Sequence, residues 1–299
     1  MFTPDFIKKG DKIAIVSTAR KIDVREIRES LAIIKKWGLE PVIGSTIEVE
    51  EHQFAGSDEI RRADFQNMLD NQDIKAIWCA RGGYGTVRII DQLDFSNFSK
   101  NPKWIIGYSD ITVLHSHIHN LGIATMHAAM PVDFHRGTQT AINSLKETLF
   151  GKNTGYIVSS SKKNILGDTT GQLVGGNLSI LYSLCGSSSA MDTTGKILCI
   201  EDLDEYLYHI DRMLQNLKRN GYFEKLSGLI VGGMNKMHDN NISFGKKPKQ
   251  IILDIVKEYD FPVVFKFPMG HIEDNRALIL GAEISLKVKK NEVIFKYIQ

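Results

Sequence analysis

The sequence predicts an α/β protein with two domains: a mostly parallel sheet covered on both faces by helices, then a second, smaller α/β domain. Three observations carry this. In the first half, short apolar runs alternate with stretches of helical periodicity, the rhythm of strand–helix–strand crossovers. Near residue 150 the pattern gives way to polar, turn-rich sequence, Gly151-Lys152-Asn153-Thr154-Gly155 and Ser159 to Asn164. The last stretch, Ala277 to Tyr297, alternates like strands joined by a turn at Lys290-Asn291. The expected division is therefore 1–150, a linker at 151–170, and 171–299.

The elements follow in order. Lys12 to Ser17 is a short apolar run, read as a buried strand. Val24 to Trp37 places Ile27, Leu31, Ile34 and Trp37 at helical spacing, and Gly38 stops that helix. Pro41-Val42-Ile43 is the next strand. A helix over Asp58–Asp70 starts from Ser57, whose hydroxyl suits an N-cap. Ile74 to Ala80 is a strand, followed by the turn Arg81-Gly82-Gly83-Tyr84-Gly85 and a helix through Val87 to Leu93. Trp104 to Gly107 is a strand, then Ser109 and a helix through Ile111 to Asn120.

Beyond the linker come a glycine-rich loop, Gly171 to Asn177, and a helix over Leu178 to Cys185. Strand Lys196 to Ile200, helix Tyr206 to Asn220, strand Leu229 to Val231, helix Pro248 to Tyr259 and strand Val263 to Phe267 follow.

With 299 residues, 42% hydrophobic and 24% charged, the composition is that of a globular protein. The 37 basic and 35 acidic residues nearly balance, and no basic stretch is interleaved with aromatics, so nucleic acid is not expected as a partner. No apolar run is long enough to span a bilayer, and the first residues do not read as a signal peptide. Cys79, Cys185 and Cys199 are odd in number and far apart, which fits a reducing, cytoplasmic compartment.

Two strand-end turns carry the chemistry. A serine at a sharp strand-to-helix turn, as Ser109 is in Gly107-Tyr108-Ser109-Asp110, projects its hydroxyl where a base can reach it. The earlier glycine-rich turn offers backbone N–H groups for an oxyanion. Such a serine needs a base and a group to orient it. Glu201 follows the apolar run Ile197 to Ile200, with Asp202 as the competing acid one residue along. His271 follows the run that opens at Val263. Gly83-Tyr84-Gly85 fails the dinucleotide fingerprint because Arg88 stands where the third glycine belongs. His115, His117 and His119 do not share one helix face and read as surface or packing residues, not as metal ligands.

The segments Gly10 to Val16, Ile74 to Gly85, Ile106 to Thr112, Gly175 to Ser179, Glu201-Asp202, Ile210 to Leu214 and Phe267 to His271 together resemble the LD-carboxypeptidase family of serine peptidases. That family contains muramoyltetrapeptide carboxypeptidases and microcin-C-immunity carboxypeptidases. The resemblance implies a Rossmann-like first domain and a β-rich second one. It also implies Ser109 as nucleophile, His271 as general base, Glu201 as its orienting acid, and oxyanion donors from the backbone of Gly83 and Asp110. No cofactor or metal is required. The implied partner is a peptide with a free C-terminal carboxylate, the implied assembly a homodimer. Arg81, which opens the glycine-rich turn, is a candidate contact for that carboxylate, or else a local brace.

Overall fold

A computed structural model describes residues 1–298. The chain divides into two compact units: 1–153 with 273–279, and 154–272 with 280–299.

In the first unit, β1 (Lys12–Val16) leads through a short 3-10 turn into α1 (Arg28–Lys36), whose inward face includes Ile34. β2 (Glu40–Ile43) follows, then α2 (Asp58–Asp70), whose first turn is capped by the Ser57 hydroxyl accepting from the N–H of Ile60. β3 (Ile74–Cys79), α3 (Ser96–Lys100), β4 (Trp104–Gly107), α4 (Thr112–Asn120), β5 (Thr125–His127) and α5 (Gln139–Leu149) complete this part. The strands stand in the order β2-β1-β3-β4-β5, every pair parallel. This is the doubly wound arrangement expected, with its topological switch between β1 and β3. Its core is apolar on both faces: Ile13, Ile15, Ile77, Trp78, Ile105 and Ile106 are fully buried or nearly so.

In the second unit, β6 (Gly155–Ser159), β7 (Gly167–Asn177), α6 (Leu178–Leu184), β8 (Ile197–Leu203), α7 (Leu207–Arg219), β9 (Gly228–Asn235), α8 (Pro248–Val256) and β10 (Val263–Phe265) follow one another. β11 (Leu278–Leu280) then joins the first sheet beside β5. β12 (Glu283–Val288) and β13 (Glu292–Tyr297) finish the seven-stranded second sheet, ordered β10-β9-β8-β7-β12-β13-β6. Its β7-β8-β9-β10 half is parallel and its β7-β12-β13-β6 half antiparallel. Leu198, Ile200, Leu214, Leu217, Phe223 and Ile252 lie in the core under α7 and α8.

Three expectations are corrected. The stretch 151–170 is not a linker: it holds β6 and the start of β7. β6 is an edge strand whose residues are all only partly buried or exposed, so it lacks an apolar signature. Gly171 to Asn177 is not a loop but the inner part of β7. Its glycines serve close strand approach, since a Cβ on Gly175 would collide with the carbonyl oxygen of Cys199. The helix expected through Val87 to Leu93 is two separate 3-10 turns, Thr86–Arg88 and Ile90–Gln92. The sequence also left 121–150 unassigned, where β5 and α5 lie.

Among the described residues, no helix is long and apolar enough to cross a membrane. All three cysteines are free, and burial of Cys79 and Cys199 pushes both thiols up from their ordinary range.

Candidate active site

In the first unit the candidate residues stand at the carboxyl ends of the strands. β4 ends at Gly107, Tyr108 is extended, and Ser109 turns into the left-handed region at φ 62° before α4 begins. A non-glycine residue there is strained by about 1 kcal/mol or more, the backbone signature of a serine lifted out of the strand–helix turn. Gly107 can sit beneath this turn because it has no side chain: a Cβ there would stand 2.7 Å from Ile111 Cγ1. Its carbonyl accepts from the Nε2–H of the buried His115 at 3.0 Å, while Nδ1 of that ring faces the Thr125 hydroxyl at 2.8 Å. Burial lowers the His115 pKa to about 3, so the ring is neutral and braces the end of β4.

The glycine-rich turn after β3 lies against this serine. A Cβ on Gly82 would come 3.3 Å from Ser109 Oγ and 3.4 Å from the Asp110 nitrogen. Gly83 adopts φ 117°, and a Cβ there would collide with Cγ and Cδ of Arg20. Two clamps fix the turn. The buried Asp110 carboxylate accepts from the Thr86 N–H at 2.9 Å, tying the turn to the residue after the serine. The fully buried Arg61 donates to the carbonyls of Gly85 (2.9 Å) and Thr18 (2.7 Å) and pairs with Asp58. Burial raises the Asp110 pKa, with the Thr86 contacts opposing it. A turn held this firmly needs little reorganisation to receive a developing negative charge.

Arg81 is turned elsewhere. Its guanidinium lies 3.6 Å from Glu26 and 3.4 Å from the carbonyl of Lys21, so it braces the loop after β1.

The second unit carries Glu201 and His271. Glu201 is fully buried, and it lies within β8, which runs on to Leu203, not at the strand exit the sequence suggests. Its Oε2 accepts from His271 Nδ1 at 2.7 Å and from the His271 backbone N–H at 3.1 Å. Nδ1 therefore carries the proton, and Nε2 is left as the basic nitrogen. Gly270 makes the double contact possible: it takes φ 91°, and a Cβ there would press within 2.5 Å of Glu201. The His271 carbonyl is held by the Asn235 side-chain N–H at 2.7 Å. Opposite Glu201 the β8–β9 register slips, so that Ile200 pairs with Val231 but Asp202 with Met234.

Asp202 turns away from the histidine. It accepts from the backbone N–H of Ser179 at 2.9 Å and of Leu203 at 2.8 Å. Burial and the neighbouring Glu201 raise its pKa to about 7. Asn177, whose part the sequence did not reveal, links the two acids by donating to Glu201 Oε1 (3.2 Å) and Asp202 Oδ1 (3.1 Å). Its own oxygen caps α6 through the Ile180 N–H. The Gly-Gly-Asn tripeptide at the end of β7 was the only sign of it.

The structure thus brings Ser109, Asp110 and the Gly82-Gly83 turn together in the first unit. It brings Glu201 and His271 together in the second, and separates Arg81 and Asp202 from these roles. His115 is a packing residue, and His117 lies beside the Phe95 ring at 5.1 Å. Among the described residues, no group of three or more His, Cys, Asp or Glu side chains is arranged to hold a metal ion.

A strained serine turn in one unit and a carboxylate–histidine couple in the other are the residue types a serine hydrolase uses. Residues 13–128 match the LD-carboxypeptidase N-terminal domain and residues 170–286 the LD-carboxypeptidase C-terminal domain. A probable murein peptide carboxypeptidase of Bacillus subtilis (strain 168) is 32% identical over 303 residues, covering 99% of this chain and 94% of the relative. The crystal structure of a muramoyltetrapeptide carboxypeptidase from Oxalobacter formigenes superimposes with a TM-score of 0.86 at 28% identity. That match covers 96% of this chain and 99% of the other. A structure of MccF in complex with glutamyl sulfamoyl guanosine has the same fold, with a TM-score of 0.88 at 21% identity over 99% and 98% of the two chains. The chain belongs to the LD-carboxypeptidase family and is a carboxypeptidase, a hydrolase.

Proposed function

We infer that this carboxypeptidase cuts murein tetrapeptides, releasing the terminal D-alanine, in peptidoglycan recycling. The names of the Bacillus subtilis and Oxalobacter formigenes relatives support the substrate class. The observation that carries the mechanism is the His271 Nδ1–Glu201 bond, which leaves Nε2 free of that contact to accept a proton.

In this reading Ser109 Oγ attacks the carbonyl of the third residue and its proton passes to His271 Nε2. Charge on the carbonyl oxygen is met by the N–H groups of Gly83 and Asp110. Collapse breaks the C–N bond, and the departing amine of D-alanine takes the proton from His271. Water then gives a proton to Nε2 and its hydroxide to the acyl ester, which frees the tripeptide and restores Ser109. Glu201 holds the tautomer and stabilises the imidazolium. The mechanism requires Ser109 Oγ and the His271 ring to approach within about 3 to 4 Å.

The rival substrate is a processed microcin-type peptidyl-nucleotide, which shares the chemistry. Residues 159–170 contain no aromatic side chain to stack on a base, which favours the murein peptide. A catalytically silent peptide-binding module is disfavoured by the intact serine turn and Glu201–His271 couple. The finer readings of a cytoplasmic homodimer rest on the cysteine pattern and the family resemblance; sedimentation of the purified protein tests the second. For the function itself, purified protein is incubated with a murein tetrapeptide and with a peptidyl-nucleotide. Release of D-alanine and tripeptide, with slower or no cleavage of the nucleotide conjugate, is expected. Cleavage of the conjugate alone overturns the substrate, and cleavage of neither overturns the activity.

A further inference from the structure

A carboxypeptidase must recognise the carboxylate beside the bond it breaks. In a peptide that carboxyl carbon is three bonds from the scissile carbonyl carbon, so its cationic partner must stand next to the oxyanion turn. The first unit has one arginine in that position. The stem of Arg20 crosses Gly83 closely enough that a Cβ on the glycine would collide with its Cγ and Cδ. Its main chain is fixed: the Ser17 hydroxyl donates to the Arg20 carbonyl at 2.6 Å, and the next residue, Lys21, donates its N–H to Gln53 O at 2.9 Å. Only the side chain remains adjustable, and it is exposed.

Charge pairing separates Arg20 from its neighbours. Arg25 is paired with Asp23, Arg61 and Arg88 with Asp58, and Arg81 with Glu26. Among the described residues, Arg20 has no carboxylate within ion-pair distance. It also lies after β1, on one side of the β1–β3 switch where open α/β sheets hold their ligands, while Gly83 lies on the other. A guanidinium there can present two parallel N–H donors to a carboxylate.

We propose that Arg20, not Arg81, binds the terminal carboxylate of the substrate, making it the residue that restricts the enzyme to peptides with a free C-terminus. The proposal rests on the carboxypeptidase reading above. Gly83 then has a second reason to be glycine: it lets the arginine stem lie against the oxyanion turn.

The test compares a tetrapeptide ending in a free acid with the same peptide ending in a carboxamide. Wild type should favour the acid in kcat/KM. Arg20→Gln should lose about 10- to 100-fold on the acid, the scale of one charge-assisted contact, with the loss mainly in KM and the acid/amide ratio falling towards one. Arg20→Lys should recover part of the preference, and Arg81→Gln should keep it. Circular dichroism establishes that each variant is folded. Calorimetric binding of both peptides to Ser109→Ala, with and without Arg20→Gln, reads the same contact without turnover. If wild type cleaves neither peptide, the carboxypeptidase reading fails while the binding arm still decides the role of Arg20. An acid preference that survives Arg20→Gln, or that disappears in Arg81→Gln instead, overturns the proposal.

Discussion

The candidate residues of the two units are held by different material. In the first unit the geometry of the candidate residues is set by backbone: Ser109 at φ 62°, Gly83 at φ 117°, and a turn pinned by Asp110 and Arg61. In the second it is set by a buried side-chain network, in which Glu201 is held by Asn177 and His271 and shielded from solvent. A backbone-made site is rigid and tolerates few residues at its glycines. A side-chain network is tunable, but each member left without its partner costs about 1–3 kcal/mol. Mutations should therefore act differently in the two units.

The largest effect is expected at Ser109. Ser109→Ala should reduce turnover of the tetrapeptide by about 10⁴-fold or more, because no other group replaces the nucleophile. Its melting temperature should not fall, since alanine is smaller and relieves no packing contact. Unchanged turnover would break the comparison at its first term.

Glu201→Gln comes next. The amide retains the shape but presents either a neutral oxygen or an N–H to His271 Nδ1, so kcat should fall by about 10³-fold or more with KM little changed. A loss confined to KM would mean that the acid binds substrate and does not orient the base.

Asn177→Ala should be milder for catalysis and visible in stability. It removes donors to two buried acids and the cap of α6, which should cost about 1–3 kcal/mol in denaturant unfolding and lower kcat roughly tenfold. A variant as stable as wild type would show that the network is not what holds Glu201.

The smallest effect is a pH slope. Burial and the neighbouring Glu201 keep the Asp202 pKa at about 7 in the folded protein, whereas the unfolded chain releases that proton near the ordinary carboxylate value of 3.8. Between about pH 4 and pH 7 the folded state thus holds more protons than the unfolded one, so stability falls as pH rises through that window. Asp202→Asn should flatten this slope when unfolding is followed from pH 4 to 8. An equally steep slope in the variant would assign it to other groups.

What could be read from the sequence follows the same divide. Ser109 and the Gly82-Gly83 turn were legible because strand-end glycines and a serine before a helix leave a local pattern. Glu201 and His271 were legible only through their order along the chain and the family resemblance. The network around them was not, because Asn177 meets Glu201 across neighbouring strands and no local pattern encodes that. Arg81 drew attention by standing inside the glycine motif, but its partner Glu26 lies 55 positions earlier in the chain, where sequence gives no hint of pairing. In the fold, the parallel strands were visible as apolar runs. β6 was hidden by its edge position, and the inner part of β7 by glycines that elsewhere mark loops.

In the mechanism proposed above, the serine of the first unit is activated by the histidine of the second. Labelling with a fluorophosphonate, which reacts with activated serines, tests it directly when the adduct is located by peptide mass spectrometry in wild type and in His271→Ala. A single adduct on the peptide containing Ser109 is expected in wild type, and a labelling rate at least about 100-fold slower in the variant. Labelling of Ser109 at the same rate in both proteins, or no labelling of Ser109 in wild type, would contradict it.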